Sequence, residues 1–300
     1  MRRPGPRPAP TIARLAALLA ATLLPPAADA RGPGVLWTVE GRHNTVYLLG
    51  SVHLLRDSDG ALPGAAEAAY ADAERVVMEI DLDDPAVADP GALLDEMQRA
   101  ALLPAGTTLR SALGADYEAI AGQVAEAGLD LALLEPFAPW FVATLLMQVE
   151  LAERGFRPEL GIEQRIADRA ASDRKPIEGL ETPAGQFALL ARLPPSVQKR
   201  FLEMTLEETG SMDTELEQLI EAWRAGDAAV LAELLTDAYE EFPELYGPLT
   251  EDRNRAWVEQ LEPMLDDRED YLVVVGALHL VGRNSVVELL RGRGYRVTQQ

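Results

Sequence analysis

The sequence predicts an α/β fold of the mixed α+β kind, with a central β-sheet flanked by helices and a large helical insertion. Short β-rich runs lie near both ends of the mature chain, and apolar residues between Pro90 and about Glu240 recur with helical spacing. A strand that runs into a glycine and then a histidine occurs twice, once near each end. Strands at both ends with helices between them are typical of one sheet covered by helices.

The first elements are predicted from residues 35–82. Val35 to Glu40 and Thr45 to Gly50 are β-rich runs, and the turn residues at 41–44 indicate that they form a hairpin. An alanine-rich helical stretch follows over residues 64–74. The β-branched run at residues 75–82, RVVMEIDL, then indicates a buried strand, so the order is that of a β-α-β unit.

Helices dominate residues 90–240, with breaks at prolines and glycines. The apolar segment at residues 139–149 is shorter than the ~20 residues that a membrane span needs, so we interpret it as a buried helix. One strand is predicted at residues 175–180, KPIEGL, and Thr182 and Pro183 then have the positions of a helix N-cap and first residue. The last predicted elements are a helix at 250–265, a strand at 271–275, a helix at 284–293 and a strand at 295–300.

Residues 1–30 have the three parts of a secretory signal peptide. They begin with arginines, continue with an apolar stretch over residues 12–24, and end with an Ala-x-Ala site at residues 28–30. We predict cleavage after Ala30, which leaves a single domain over residues 31–300 in the periplasm or outside the cell. An uncleaved amino-terminal anchor is the alternative. After cleavage, no stable membrane span is predicted.

Composition excludes several classes of function. The formal net charge of −22 argues against nucleic acid as a partner, because phosphate backbones are bound by lysine and arginine. The chain has no cysteine, so a disulfide and a lipid anchor on cysteine are excluded. Any metal ligands must therefore be histidine, aspartate or glutamate. The motifs of serine hydrolases, kinases, nicotinamide enzymes and HExxH metalloproteases do not occur.

Two of the three histidines lie in segments that almost repeat each other, LLGSVHLL at residues 48–55 and VVGALHLV at residues 274–281. In each copy a strand reaches a glycine, Gly50 or Gly276, and the histidine, His53 or His279, follows just past the strand end. Two imidazoles at the carboxyl ends of sheet strands could converge on one ion. The alternative for either histidine is a hydrogen-bonded core residue. His43 lies in the hairpin turn and is predicted to be exposed.

Carboxylates must complete such a site. Glu79 is the first candidate, because an unpaired carboxylate in an apolar strand is unfavourable unless a cation or donor compensates its charge; the alternative is a pair with a buried arginine. Asp81 lies on the same face of the strand. Glu163 and Glu181 each follow a glycine by two residues at the boundary of an element. The triplet Arg253-Asn254-Arg255 lies on a predicted helix and could donate to a developing oxyanion, a role we assign to Asn254 or Arg255; the alternative is a solvated helix face.

Together these motifs resemble the TraB/GumN family over roughly residues 35–298. The segments that carry the resemblance are LLGSVHLL, VVMEIDL, PELGIEQ, KPIEGLET, DRNRAW and VVVGALHLVG. The family is similar to the Tiki metalloproteases and, more distantly, to erythromycin-esterase-like hydrolases and ChaN-like haem-binding lipoproteins. The resemblance implies a divalent-metal-dependent peptidase that requires His53, His279 and Glu79. Ser51 stands where many relatives have threonine.

The sequence thus suggests an exported metal-dependent hydrolase of a peptide or ester substrate. His53, His279 and Glu79 would bind a divalent ion, either Zn, Mn, Co or Fe, that activates a water molecule. Glu163 or Glu181 would serve as general base. The alternative is a non-catalytic envelope protein that uses the same pocket to bind a ligand such as haem, or that takes part in envelope assembly. A third possibility is a family member whose histidines are only structural.

Overall fold

The computed structural model describes residues 35–60, 62–84, 87, 89–207 and 212–300, and these contain a sheet of six strands. The predicted signal peptide at residues 1–30 lies outside the described residues. The strands are β1 (Leu36–Glu40), β2 (Thr45–Ser51), β3 (Arg75–Ile80), β4 (Ile177–Glu181), β5 (Tyr271–Gly276) and β6 (Arg296–Gln299). Their order across the sheet is β4-β3-β5-β2-β1-β6. The predicted mixed α/β fold class is confirmed.

Four of the strands run parallel. β5 pairs in parallel with both β2 and β3, and β3 pairs in parallel with β4. β1 is antiparallel to β2 and to β6, so the predicted amino-terminal hairpin is present. Every residue of β5, YLVVVG, is buried, as expected of a strand covered on both faces. The carboxyl ends of β4, β3, β5 and β2 therefore meet at one edge of the sheet.

The predicted β-α-β unit differs from the structure in one respect. β2 and β3 are parallel and joined through a helix, but they are not neighbours, because β5 lies between them. β5 is the most apolar of the strands, and the central position allows it to form backbone hydrogen bonds on both sides.

Helices connect the strands, and most of them lie between β3 and β5. The α-helices among the described residues are α1 (Gly64–Asp72), α2 (Pro90–Ala101), α3 (Leu109–Leu113), α4 (Tyr117–Glu126), α5 (Pro139–Glu153), α6 (Ile162–Asp173), α7 (Pro183–Ala191), α8 (Pro195–Glu207), α9 (Met212–Ala225), α10 (Ala228–Glu241), α11 (Pro243–Tyr246), α12 (Asp252–Met264) and α13 (Val286–Gly292). A π-helical turn at Gly247–Glu251 precedes α12, and a 3₁₀ turn at Ala277–His279 follows β5. Apolar side chains of the sheet and these helices form a core cluster that runs from Val35 to Val297.

Two local predictions about helices are confirmed. The apolar segment at residues 139–149 is the larger part of the buried helix α5. In the described part of the chain, no helix is long and apolar enough to cross a membrane. Thr182 is the N-cap of α7, since its hydroxyl accepts a hydrogen bond from the backbone N–H of Gly185 at 3.1 Å, and Pro183 is the first helical residue.

Asp59 joins the loop after β2 to the helical layer. Its side chain is only 2% exposed, and its Oδ1 accepts hydrogen bonds from Arg56 and from Arg224 of α9, each at 3.0 Å. Arg224 also donates to the backbone carbonyl of Asp59 at 3.0 Å. Burial favours the neutral acid, but the hydrogen bonds from Arg56 and the charges of both arginines outweigh it, so the pKa of Asp59 lies below its usual range.

We expect Asp59→Asn to lower the free energy of unfolding by about 1–3 kcal/mol near neutral pH, because two charged donors lose their carboxylate. The folded pKa of Asp59 lies below the unfolded one, so its stabilisation is present above the unfolded pKa and is lost as pH falls through the folded pKa. Urea denaturation should therefore show that the difference from the wild type narrows in acid. The exposed Asp57→Asn is the matched control, and an equal difference at all pH values would contradict this account.

Candidate functional site

The predicted site residues lie at the carboxyl ends of the parallel strands. Glu79 is the next-to-last residue of β3, and Glu181 is the last residue of β4. His53 follows β2, and His279 ends the 3₁₀ turn after β5. Ser51 of the first repeated motif is paired with Gly276 of the second, so the two motifs lie side by side, one residue out of register. Ligand sites of parallel α/β sheets commonly lie at this edge.

Each of the two motif glycines allows other atoms to approach its backbone closely, and the approaching atoms differ between the two. A Cβ on Gly276 would lie 3.3 Å from both Oε1 of Glu79 and Nε2 of His53, and 3.5 Å from Cδ2 of His279. The three side chains therefore converge on this glycine. A Cβ on Gly50 would instead meet Val35 at 2.7 Å and the Cα of Ala277 at 3.0 Å. Gly276 makes room for the site, whereas Gly50 makes room for packing beneath it.

His53 and Glu163 form a buried pair. Nδ1 of His53 lies 2.6 Å from Oε1 of Glu163, which also accepts a hydrogen bond from the hydroxyl of Ser51. A Cβ on Gly161, at the start of α6, would overlap the backbone carbonyl of His53, so only glycine lets this helix approach closely enough to place Glu163. The second oxygen of Glu163, Oε2, is buried and has no hydrogen-bond partner among the described residues. Such an oxygen needs a donor from water or a ligand.

Arg253 holds the other half of the site together. Its guanidinium donates to both carboxylate oxygens of Glu181 at 2.9–3.1 Å and to Oε2 of Glu79 at 2.5 Å. The remaining N–H groups point at the carbonyl of Leu249 and at Nε2 of His279, each at 3.2 Å. All of its donors thus have acceptors. Arg253 is 6% exposed, and a buried charge of this kind is tolerated only when it is fully paired.

Other side chains fix the two carboxylates. Gln186 donates to Glu181 at 3.1 Å and to Glu79 at 3.3 Å. The indole N–H of Trp257 donates to Glu181 at 2.9 Å, and the backbone N–H of Gly276 donates to Glu79 at 2.8 Å. Burial alone would raise the pKa of Glu79, but the charges of Arg253 and His53 and the backbone N–H of Gly276 hold it well below its usual range. Both oxygens of Glu181 are engaged by these donors, so it is poorly placed to act as a base.

The two histidines have opposite electrostatic environments despite their matching motifs. Nδ1 of His279 donates to the amide oxygen of Asn254 at 2.6 Å, and that amide is oriented by its own bond to the backbone of Asn284 at 2.9 Å. Burial and the neighbouring Arg253 lower the pKa of His279 to about 3, so it is neutral. Burial would also lower the pKa of His53, but the carboxylates of Glu163 and Glu79 outweigh it and raise the pKa to about 9.

A cavity of about 240 Å³ opens beside this centre. The charged and polar side chains that border it include His53, Glu79, Glu163, Gln186 and Arg253. The rest of its wall is mainly apolar and comes from β3, α2, α5 and α7, with the side chains Met78, Ile80, Leu82, Val87, Leu93, Leu94, Met97, Trp140, Phe187, Leu189, Leu190 and Leu249. An apolar chamber with a few convergent polar groups is the usual form of a small-molecule or substrate site.

The residues predicted to bind a divalent ion do not fit one as they are arranged. Nε2 of His279 accepts a hydrogen bond from Arg253, and Oε2 of Glu79 is paired with the same guanidinium. The positive charge of Arg253, 3.2 Å from His279 and 2.5 Å from Glu79, would repel a metal cation. Its N–H groups also occupy the lone pairs that a metal ion would need. No group of three or more histidine or acidic side chains in the described ranges could hold a metal ion. In the structure, Glu79 pairs with the buried Arg253. A pair with a buried arginine was the alternative considered from the sequence.

Not all of the candidate residues are at the site. Arg255 lies on the outer face of α12, 47% exposed at its side chain, where it pairs with Glu251 and Asp252. Asn254 is buried, but it orients His279 instead of facing the cavity. His43 is exposed, as predicted. Asp81 follows the end of β3 and accepts from the backbone of Asp83 at 2.9 Å. It does not border the cavity.

Arg253, the residue that organises the site, was considered in the sequence only as part of its triplet, and the role of oxyanion donor was assigned to Asn254 or Arg255 instead. The helical periodicity of the sequence could have identified Arg253. The buried residues of α12 are Arg253, Asn254, Trp257, Val258 and Leu261. These positions follow the three- and four-residue spacing of one helix face, and Arg255 lies off that face. The spacing of Trp257, Val258 and Leu261 therefore indicates that Arg253, and not Arg255, lies on the buried face of the helix.

The fold and the site together define an α/β protein whose polar centre is built at the carboxyl edge of a parallel sheet. The chain matches the TraB/PrgY/gumN family over residues 35–299, and it belongs to that family. It is 27% identical over 263 residues to the uncharacterized protein YbaP of Shigella flexneri and to that of Escherichia coli strain K12. Each match covers 86% of this chain and 92% of the relative. No solved structure is similar enough to match.

Alanine at the two motif glycines should have distinguishable effects. Gly50→Ala is expected to lower the free energy of unfolding by about 1–3 kcal/mol, because the new methyl group overlaps backbone and core atoms. Gly276→Ala meets only side-chain atoms at 3.3 Å or more, so it should lower stability less and displace Glu79 or His53 instead. Denaturant unfolding measures the first effect. Ligand binding or activity measures the second.

The exposed Gly122→Ala, inside α4, is the control. No atom lies within 4 Å of its added Cβ, and alanine should stabilise the helix slightly. Equal losses of stability at Gly50 and Gly276 would show that the site glycine is needed only for packing.

Arg253→Met should be strongly destabilising, because it leaves Glu79 and Glu181 buried without their cation. Removing one member of a buried ion pair typically lowers the free energy of unfolding by about 3–5 kcal/mol. Arg255→Ala, two residues along the same helix, should change it by less than about 0.5 kcal/mol. Paired urea titrations measure both. Similar values for the two variants would contradict the organising role of Arg253.

Proposed function

We propose that this TraB-family protein is a hydrolase of a peptide or ester bond, in which Glu163 and His53 carry out the proton transfers. The supporting observation is the His53–Glu163 pair beside the cavity, with one buried carboxylate oxygen left without a donor. A general base and a general acid held in contact beside a largely apolar cavity are the groups that hydrolysis of a carbonyl compound requires.

In the proposed reaction, Oε2 of Glu163 accepts a proton from a water molecule as the water oxygen attacks the substrate carbonyl carbon. His53, which the neighbouring carboxylates keep charged, donates its Nε2 proton to the leaving nitrogen or oxygen when the tetrahedral intermediate collapses. The proton on Glu163 then returns through water to the imidazole. Of the two glutamates considered as the base, Glu163 is the better placed, since Glu181 already accepts from three side chains.

Arg253 and the three side chains paired with it, Glu79, Glu181 and His279, support this chemistry without taking part in it. Arg253 keeps Glu79 ionised next to His53, which favours the charged imidazole. It also fixes the ends of β3, β4 and β5 relative to one another through Glu79, Glu181 and His279. A rigid support of this kind holds the acid and the base in the geometry of the reaction.

Hydrolysis assays on the purified mature chain test the proposal, with a fluorogenic peptide library and p-nitrophenyl esters as substrates. Glu163→Gln keeps the shape of the side chain but cannot accept the proton, so kcat should fall by about 10²–10⁴-fold with KM little changed. His53→Ala should have a similar effect, and Arg255→Ala should match the wild type. Unchanged turnover by Glu163→Gln would refute the assigned base.

The predicted divalent ion is tested in the same assay. The proposed mechanism expects turnover to survive EDTA, whereas an ion-dependent hydrolase would lose activity and regain it with Zn, Mn, Co or Fe. Elemental analysis of the wild type beside His279→Ala shows independently whether an ion is held by the repeated motif. A ligand that binds in the cavity, haem included, without any turnover would favour the binding protein considered above.

Export to the periplasm or the medium is part of the proposal. Detection of the protein in a periplasmic or culture fraction, with an amino terminus at residue 31, would support it. An amino terminus at Met1 in the membrane fraction would favour the uncleaved anchor.

A further inference from the structure

The cavity beside the polar centre leaves apolar surface uncovered. Several of the apolar side chains that border it are only half-buried, including Ile80 of β3, Leu93 of α2 and Phe187 of α7. Leu94, one residue further along α2, is 46% exposed and borders the cavity as well. A ligand group that covered such surface would gain free energy in proportion to the apolar area that it removes from water.

The apolar wall begins next to the polar centre. In α7, Leu190 follows Gln186 by four residues, so the two lie one turn apart on the same helix face, and both border the cavity. Leu249 precedes Arg253 by four residues, and its carbonyl accepts a hydrogen bond from the guanidinium. Both of these side chains border the cavity too. An apolar group of a bound substrate can therefore lie directly beside the polar centre.

Two polar side chains of α5, Thr144 and Gln148, also border the cavity. The hydroxyl of Thr144 donates to the backbone carbonyl of Trp140 at 2.9 Å, so its proton is already in use. Gln148 is exposed, so water can solvate its amide. An uncharged apolar group can therefore lie next to these side chains without leaving a buried polar group unpaired.

The charged side chains that border the cavity are paired with one another. They form two pairs, His53 with Glu163 and Arg253 with Glu79. A charged group in the apolar part of the cavity would lose its hydration there without an opposite charge of its own. The cavity therefore favours an uncharged ligand group.

The volume of the cavity sets the size of that group. Apolar cavities of about 150 Å³ bind benzene. This cavity has a volume of about 240 Å³, so it has room for about eight to ten carbon atoms on the same scale. A shorter chain would leave part of the wall uncovered, and a longer chain would extend into water.

We infer that the substrate carries an uncharged apolar chain of about eight to ten carbon atoms, joined directly to the bond that is cleaved, and that this cavity binds the chain. The inference rests on the proposed function, to which it adds a substrate class: medium-chain esters or amides. Short chains are disfavoured because they leave the wall uncovered, and chains with a charged end are disfavoured because they are desolvated.

Binding of methyl ketones of increasing length tests the inference without hydrolysis, because a ketone has no bond that hydrolysis could cleave. From butanone to decanone, the dissociation constant measured by calorimetry should fall about threefold with each added methylene group. Beyond about ten carbon atoms it should stay constant, since the further methylene groups remain in water. Analogues of decanone whose far end is a carboxylate or an ammonium should bind at least about tenfold more weakly.

A larger side chain in the wall should shorten the chain that fits. In Leu93→Trp the indole occupies part of the cavity, so the affinity should stop rising at about six carbon atoms. Leu94→Trp is a second variant of the wall, at a position exposed enough to tolerate the change, and a thermal melt shows that each variant is folded. Leu102→Trp is the matched control, because Leu102 follows the last residue of α2, is 55% exposed and does not border the cavity. It should keep the wild-type dependence on chain length.

Two isomeric esters, ethyl octanoate and octyl acetate, show whether the chain lies on the acyl side or on the leaving group. One of them should be hydrolysed with a kcat/KM at least about a hundredfold above that of ethyl acetate, because several methylene groups are buried in the cavity. Values for both isomers no higher than that of ethyl acetate would contradict the inference.

Ketone affinity that is independent of chain length, that continues to rise beyond about twelve carbon atoms, or that keeps its wild-type dependence in both wall variants would overturn the inference. Equal binding of the charged analogues would overturn it as well. The ketones separate its failure from that of the proposed function. The expected ketone series without turnover of any ester or peptide would refute the hydrolase alone. Turnover of ethyl acetate with no gain from chain length would refute the medium-chain substrate alone.

Discussion

The buried guanidinium of Arg253 is the interaction on which the site depends. Two carboxylates from adjacent strand ends, Glu79 and Glu181, could not be buried side by side unless a cation lay between them. Arg253 supplies that charge from α12 and also donates to His279, so one side chain ties together three strand ends of the sheet. The carboxyl edge of the sheet is therefore fixed before any ligand binds, and the cavity beside it is preformed.

This arrangement explains why two nearly identical motifs have different properties. Both histidines follow a glycine at the end of a parallel strand, but His279 faces the guanidinium and His53 faces the carboxylate of Glu163. The same imidazole is therefore held neutral in one copy and charged in the other. The repeated motif places the two imidazoles at the ends of adjacent strands, and the neighbouring side chains from other elements give them different charges.

The sequence was informative wherever the signal was local. The hairpin, the buried strands, the Thr182 cap and the convergence of His53, His279 and Glu79 all follow from residue patterns over a few positions. The position of β5 between β2 and β3 did not follow, because strand order depends on pairing between distant segments. Arg253 was not chosen from the triplet Arg253-Asn254-Arg255 because the triplet was considered without the phase of its helix. The engagement of His279 and Glu79 by a guanidinium likewise depends on how α12 packs against the sheet.

The polar groups of the site and the apolar wall of the cavity come largely from different elements. The polar groups come from strand ends, from Arg253 of α12, from Gln186 of α7 and from α6, whose close approach to His53 requires Gly161. The apolar wall comes mainly from α2, α5 and α7. Changes of side-chain size there alter the shape of the cavity at modest cost, since apolar exchanges of similar volume are tolerated. We therefore expect members of this family to differ more in what they bind than in how the edge of the sheet is built.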